Sequence, residues 1–231
     1  MVHARRNYGQ YCGLAAALDV IGERWTLLII RELLLGPRRY SDLIAALPGV
    51  GTNLLAERLK FLTAEGVLRK VADDQGKDRG YELTEVGRQL REPVLSLARW
   101  GLPFLDAPTP EEIVRPYWGF LAVQAMIDDS RVPDLDEVYE FQVDDVLFHV
   151  VVKDGGAVAV EGGYPGSPTV TAVTDARTFM EIGSKRLSPF GAVVSGRLTL
   201  QGPPEAILRV SALLGLVPEG TPDQARGAAS R

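Results

Sequence analysis

Apolar residues recur at helical spacing over the first 66 positions, and after that the period shortens. Leu14, Leu18 and Ile21 lie four and three apart, which predicts a short first helix. A denser run over 25–35 places Trp25, Leu28, Ile29 and Leu33 on one stripe, with Arg31 and Glu32 expected to face water. Gly36-Pro37 ends that helix in the usual order of a C-terminal glycine followed by proline. Ser41-Asp42 opens a third helix reaching Leu47, Pro48-Gly49 makes a turn, and 51–65 forms a fourth helix closed by Gly66. The alternating segments 67–71 and 79–83 flank the polar cluster 73–78 and predict a β-hairpin. Thr84 is placed to cap a long helix running to about Phe104, with Glu85 in its first turn.

The second half alternates differently. An apolar helix over 113–127 contains Tyr117, Trp118 and Phe120. Segments 138–143, 146–152 and 157–161 then alternate with period two, joined by Asp144-Asp145 and Asp154-Gly155-Gly156, so an antiparallel meander is expected. A fourth strand over 169–174, a helix capped by Asp175 and reaching Gly183, a fifth strand over 197–201 and a last helix over 205–214 complete the pattern. The predicted class is α+β: helices and a hairpin first, then helices laid on one face of an antiparallel sheet. Pro103, Pro108 and Pro110 mark a break. The expected organisation is a domain over 1–105, a linker over 106–112, a domain over 113–217 and a flexible Gly/Pro/Ala-rich tail over 218–231.

Charge sharpens this division. The 231 residues carry a net charge of −5, which alone argues against a nucleic-acid partner. Residues 1–105, however, hold 15 Lys+Arg against 12 Asp+Glu, and residues 106–231 hold 10 against 18. A first half at +3 and a second at −8 suggest different partners. The single cysteine, Cys12, excludes an internal disulfide and fits a reducing compartment, so a cytoplasmic location is expected. The longest uncharged apolar stretch, 117–127, is too short to span a bilayer, and no membrane partner is expected. Asp19 and Glu23-Arg24 interrupt the apolar stretch after Arg5-Arg6, which argues against a secretory signal.

Catalytic chemistry finds no footing. His3 and His149 have no metal-ligand spacing, Gly162-Gly163-Tyr164-Pro165-Gly166 lacks the spacing of a phosphate loop, and Ser184, Ser188 and Ser195 have no evident histidine partner. His149, in an alternating strand, is expected to be surface-facing or satisfied. No enzymatic activity, metal or cofactor is therefore expected.

The fourth helix carries the most specific chemistry. At 100° per residue, Leu55, Leu59 and Leu62 share a core-facing side. Asn53, Ala56, Glu57 and Lys60 lie opposite, with Thr52 at the edge. Asparagine can bond an adenine edge through two hydrogen bonds, lysine can reach guanine, and threonine can pack on a thymine methyl. Arg38, Arg39, Lys70, Lys77 and Arg79, with Ser41 at the start of the third helix, are placed to grip phosphates. Arg58 lies near the core edge and has two open readings, an intramolecular ion pair or a phosphate contact. One reading helix spans too few base pairs for specificity, so a two-fold homodimer on an inverted repeat of double-stranded DNA is expected. Its contact is expected from the first helix and from 84–104, where Leu90, Val94, Leu97, Trp100 and Leu102 exceed one core-facing stripe.

Two resemblances follow from particular residues. Cys12, Ile21-Gly22, Arg24-Trp25, Leu33, Gly36-Pro37, Arg39-Tyr40, Leu43, Pro48-Gly49 and Arg58-Leu59, continued by Arg79, Tyr81, Leu83-Thr84 and Gly87, resemble HxlR-type transcriptional regulators over roughly 8–105. The resemblance implies a winged helix-turn-helix, a dimer formed by the terminal helices and repression as the commoner role. Gly51 and Asn53 depart from the family pattern, which has serine and a basic residue there, and imply an unusual operator. Some members sense oxidants through a cysteine where Cys12 stands; the other reading of Cys12 is a small packing residue.

Residues 171–176, Phe179, 187–200 with Ser195-Gly196-Arg197-Leu198, and Gly202-Pro203 resemble the sterol-carrier-protein-2-like fold over about 110–215. That fold implies a cavity for an apolar ligand, for which Phe148, Phe179, Met180, Leu187 and Phe190 are the candidate lining; the alternative is a filled core. The expectation is thus a DNA-binding regulator with a small apolar effector. The rival is an apolar-ligand carrier whose first half serves dimerisation.

Overall fold

A computed structural model describes residues 7–72, 78–109 and 111–217, with backbone alone at 78 and 79. Lys77, the Arg79 side chain, Arg5, Arg6 and the segment from 218 onward lie outside the described residues. The chain divides into two compact units between Val94 and Leu95.

The first unit contains α1 (Gly13–Ile21), α2 (Thr26–Leu33), α3 (Tyr40–Ala46), α4 (Thr52–Ala64), β1 (Leu68–Ala72), β2 (Asp78–Leu83) and α5 (Glu85–Arg88); the division falls inside α6 (Arg91–Gly101). Ile29, Ile30, Leu43, Leu55, Leu59 and Leu62 have no accessible surface and form its core. Full burial of each such side chain stabilises by about 1.5–3 kcal/mol. The hairpin pairs Leu68 with Leu83 and Val71 with Gly80. Its β2 edge is held to the helices by main chain: Arg38 N donates to Tyr81 O at 3.0 Å, and Tyr81 N donates to Arg38 O at 2.9 Å. Gly80 makes this approach possible. Its φ is +112°, and a Cβ there would lie 2.0 Å from Arg38 O.

Two expectations for this unit are corrected. Glu32 does not face water: it is 1% exposed, and Arg31 donates to its Oε1 from Nε at 3.0 Å and from Nη2 at 2.7 Å. The buried arc of α2 is wide enough to take in Glu32, and the adjacent guanidinium compensates the buried carboxylate; Leu28 is left 40% exposed. The long helix expected over 84–104 is three pieces, α5, α6 and a 3₁₀ turn at Leu102–Phe104. Pro93 accounts for the break, because proline fits the first turn of a helix and disrupts its interior. Thr84 caps α5 as expected, with Oγ1 accepting from Gly87 N at 3.1 Å.

The second unit contains α7 (Trp118–Met126), β3 (Glu137–Val143), β4 (Val146–Lys153), β5 (Gly156–Glu161), β6 (Val170–Thr174), α8 (Ala176–Gly183), α9 (Pro189–Val194), β7 (Leu198–Gln201) and α10 (Pro204–Leu213). The α7 helix starts at Trp118 rather than 113, since Pro116 disfavours helical backbone at the residue before it. The α9 helix was not expected; Ser188 caps it by accepting from Gly191 N at 3.0 Å. Strand order is β5-β4-β3-β6-β7. The expected purely antiparallel sheet is corrected: β6 runs parallel to β3, pairing Tyr139 with Val170 and Val143 with Thr174. After β5 the chain returns over the face where Glu140 Oε2 accepts from Tyr164 N at 2.7 Å and His149 Nδ1 contacts Gly162 O at 2.8 Å. This crossing fixes the parallel direction, which alternation alone does not encode. The Asp154-Gly155 turn has φ of 51° and 72°, fitting a two-residue hairpin of the primed type.

Leu105 and Thr109 are bonded within this unit. Arg186 donates to Leu105 O, and Arg177 Nη1 donates to Thr109 O at 3.1 Å. The main buried polar group is Glu137, which is 7% exposed. It accepts from Arg209 at 2.9 and 2.5 Å and from the Tyr139 hydroxyl at 2.5 Å. Hydrogen bonds from Arg209, and after burial has opposed them also from Tyr139, hold its carboxyl below the ordinary glutamate value.

Two outcomes follow. Gly80→Ala is expected to cost at least about 1–3 kcal/mol in chemical denaturation, through left-handed strain and the collision with Arg38. Arg209→Met is expected to cost about 2–3 kcal/mol near neutral pH, reduced from a fully buried pair by the partial exposure of Arg209. Because the folded-state pKa of Glu137 is depressed, its contribution is complete above the ordinary glutamate range and is lost as pH falls from that range through the lower folded-state value. Denaturation from pH 7 to pH 3 should therefore show the gap between parent and Arg209→Met narrowing in acid.

Candidate nucleic-acid interface and apolar cavity

The α4 helix separates its faces cleanly. Leu55, Leu59 and Leu62 are 0% exposed, while Thr52, Asn53, Ala56, Glu57 and Lys60 are all exposed on the other side. Gly51 is the N-cap, with extended φ of −72° and ψ of 143°. The helix start is tied by a side chain the sequence reading passed over: the Tyr40 hydroxyl donates to Thr52 O at 2.7 Å. No sequence period pairs residues 40 and 52, and only the folded corner between α3 and α4 brings them together.

The cations expected to grip phosphates do not behave alike. Arg39 and Ser41 are exposed at the start of α3, and Arg38 is half-buried in its strand-like contact with β2. Lys70 is exposed on β1, with Nζ 5.9 Å from the Tyr81 ring centre across the hairpin. Pro37, Arg39 and Asp42 share a groove of about 420 Å³ with Val71 and Glu82 of the hairpin, so the α3 entrance and the wing border one surface. Asp42 there accepts from Arg39 N at 3.1 Å. Arg69, adjacent in sequence to Lys70, is engaged by Glu82 with Nε at 2.5 Å. Arg58 takes the first of its two readings: Nη2 lies 3.0 Å from Glu23, and its side chain is only 14% exposed. The ion pair fastens the middle of α4 to the turn after α1 and removes Arg58 from the exposed edge.

Cys12 stands at the N-cap of α1, exposed, not packed within an apolar helix face. The packing reading is therefore corrected. Backbone N–H groups of Ala15 and Leu14, left open at the helix start, lower its thiol below the ordinary value. Around it, Tyr8 is 60% exposed, Tyr11 fully so, Leu14 69% and Leu18 38%, so the apolar stripe of α1 is uncovered. On α6, Val94 and Leu95 are buried, whereas Leu97 and Trp100 are exposed.

The second unit holds an apolar cavity of about 60 Å³ between β3-β6-β7 and the helices α7, α8 and α10. Val123, Met126, Ala172, Phe179 and Val210 contribute to its wall. Of the five expected lining residues only Phe179 belongs to it. Phe148 is instead filled core, stacked on Phe141 at 5.3 Å and packed against Phe120 and Phe179 at 5.8 and 6.0 Å. Met180 and Leu187 are half-buried outside the wall, and Phe190 is 78% exposed. Met180 on α8, Leu187 in the connection between α8 and α9, and Phe190 on α9 all lie outside the wall, a placement that apolar character alone does not specify. Among the described residues no group of three His, Cys, Asp or Glu side chains is placed to hold a metal, and no helix is long and apolar enough to cross a membrane.

Comparison with known proteins agrees with both halves of this geometry. Residues 20–108 match the family described as HxlR-like helix-turn-helix, and residues 121–215 match the SCP-2 sterol transfer family. An uncharacterized HTH-type transcriptional regulator of Mycobacterium tuberculosis is 40% identical over 93 residues, 40% of this chain and 58% of that protein. The match thus spans little more than half the length of that relative. The uncharacterized HTH-type transcriptional regulator YvaP of Bacillus subtilis is 35% identical over 91 residues, 39% of this chain and 84% of YvaP. A solved structure of the HTH-type regulator YtcD is 33% identical, covering 39% of this chain and 93% of that one at a TM-score of 0.35.

The Cys12 environment makes a measurable statement. Alkylation of the native protein by iodoacetamide near pH 7 should be faster than in the denatured chain, with a pH midpoint below that of an ordinary thiol. An equal or slower native rate would mean that the α1 amide groups do not stabilise the thiolate.

Proposed function

The chain belongs to the HxlR-like helix-turn-helix family of transcriptional regulators, and from that premise we propose that it works as a homodimer on an inverted-repeat operator in double-stranded DNA, most simply as a cytoplasmic repressor. The observation that carries this reading is the exposed edge of α4. Thr52, Asn53 and Lys60 stand in water with only Ala56 and Glu57 between them, above three leucines with no accessible surface. Such a helix presents hydrogen-bonding groups to a major groove without disturbing its own anchorage. Arg39, Ser41 and Lys70 supply phosphate contacts, with Arg38 backing the wing; Lys77 and Arg79 extend that set on sequence grounds. Arg58 is left out, being held by Glu23.

The uncovered stripe of Tyr11, Leu14 and Leu18 supports a two-fold partner helix. In this reading the second unit is not an enzyme but a sensor, whose cavity accepts a small apolar effector. An effector favouring one arrangement of the dimer by about 1.4 kcal/mol changes the ratio of DNA-competent to incompetent states tenfold. The rival carrier reading is less well supported, because about 60 Å³ is far below the roughly 300–1,000 Å³ of a site for a drug-sized ligand.

Gel shift against the DNA upstream of the protein's own coding region tests the proposal. Asn53→Ala should cost about 1–3 kcal/mol on the preferred site and relax preference at one base position. Lys60→Ala should also weaken binding. With about four phosphate contacts per subunit in a dimer, log K against log salt should fall with a slope near about −7. Equal binding of parent and Asn53→Ala to every sequence tried would leave α4 without a reading role.

A further inference from the structure

We propose that the cavity of the second unit takes an uncharged apolar molecule of about one ring, and turns away carboxylates and sterol-sized lipids. This rests on the effector-binding reading above and names the chemical class of the effector.

Charge decides the first part. Among the described residues, no lysine, arginine or histidine stands in the cavity wall. The cations beside it are engaged: Arg209 donates twice to Glu137, and Arg197 donates to Glu181 at 2.5 Å and to Thr178 at 3.0 Å. The Tyr139 hydroxyl, at the ring end of one wall residue, gives its proton to Glu137. A carboxylate entering here would lose its water with no cation to receive it, so its desolvation would go uncompensated. Glu140 borders the wall from β3, but its carboxylate lies on the opposite face of the sheet, where Oε2 accepts from Tyr164 N, so it offers an entering ligand no polar partner. The remaining polar side chain of the wall among the described residues, Ser211, donates its hydroxyl proton to Ile207 O at 2.8 Å and retains an oxygen able to accept. The wall therefore suits a hydrocarbon surface with at most one hydroxyl or N–H group.

Volume decides the second part. The cavity measures about 60 Å³, whereas a dry apolar cavity that admits benzene measures about 150 Å³. Part of the difference can come from Met126, an unbranched thioether whose sulfur lies 3.3 Å from where a Gly183 Cβ would stand. Leu216, half-buried at the end of the wall, can contribute the rest. Movement of two flexible side chains makes room for one ring. It does not make room for four fused rings, which would have to separate α7, α8 and α10 from the sheet.

The test uses the full chain and three probes: toluene, benzoate and cholesterol. Thermal unfolding and calorimetric titration are read for the parent and for Val210→Phe, which fills the cavity; Ile207→Phe at the wall is the second filling variant should the first fail to fold. Toluene is expected to raise the Tm of the parent by several degrees, with no response from the filled variant. Benzoate and cholesterol are expected to leave both unchanged. Stabilisation of the parent by benzoate or cholesterol, abolished by cavity filling, would overturn the proposed class while leaving an effector site in place. Binding of toluene with no change in DNA affinity would uphold the class and remove the regulatory reading. Absence of binding by all three probes would overturn the proposal together with the site.

Discussion

Three leucines on one side of a thirteen-residue helix govern the rest of the first unit. Burying Leu55, Leu59 and Leu62 completely leaves the rotation of α4 almost no freedom, because turning it by one residue would put a leucine in water and a charged side chain in the core. The polar edge is thereby oriented by the core and needs no bonds of its own. Two further ties finish the placement: the Tyr40 hydroxyl on Thr52 O fixes the start of the helix, and Glu23 on Arg58 fixes its middle. In the proposed role, an edge built this way keeps its exposed groups unencumbered, which is the state in which contact with bases costs least reorganisation.

The faces of α4 were legible in the sequence because a helix with one buried stripe obeys a single period. The hairpin, the Thr84 cap and the Asp175 cap were legible for a similar reason, since each depends on residues within a few positions of one another. What the sequence concealed depends on distance. Glu32 reads as a surface residue until the width of the buried arc of α2 is known, and its neutraliser is the preceding residue, Arg31. The break in the helix after Thr84 is set by Pro93, and the apolar repeat that runs across it masks the signal.

The cavity shows the same limit more sharply. Apolar residues on a sheet or helix can fill a core, line a void or meet water, and composition does not distinguish these. Phe148 fills, Phe179 does both, and Phe190 meets water. The parallel pairing of β6 with β3 likewise depends on the path of the chain between Glu161 and Val170, where the informative contacts are Tyr164 N with Glu140 and Gly162 O with His149. The bonded partners are 24 and 13 positions apart and carry no periodic signature.

That crossing has a further consequence for the order in which the molecule is made. The contacts of the first unit are mainly between neighbouring helices and within one hairpin, so its closure needs little chain beyond β2 and α5. In the second unit, β3 gains β4 at once through a tight turn, yet its other edge stays open until β6 has been synthesised and the intervening segment laid across the sheet. An open central strand rich in Val, Tyr and Phe is a template for pairing with another chain. The interval between the emergence of β3 and that of β6 is therefore when the nascent protein is most exposed to mispairing, and by then its first unit is already complete.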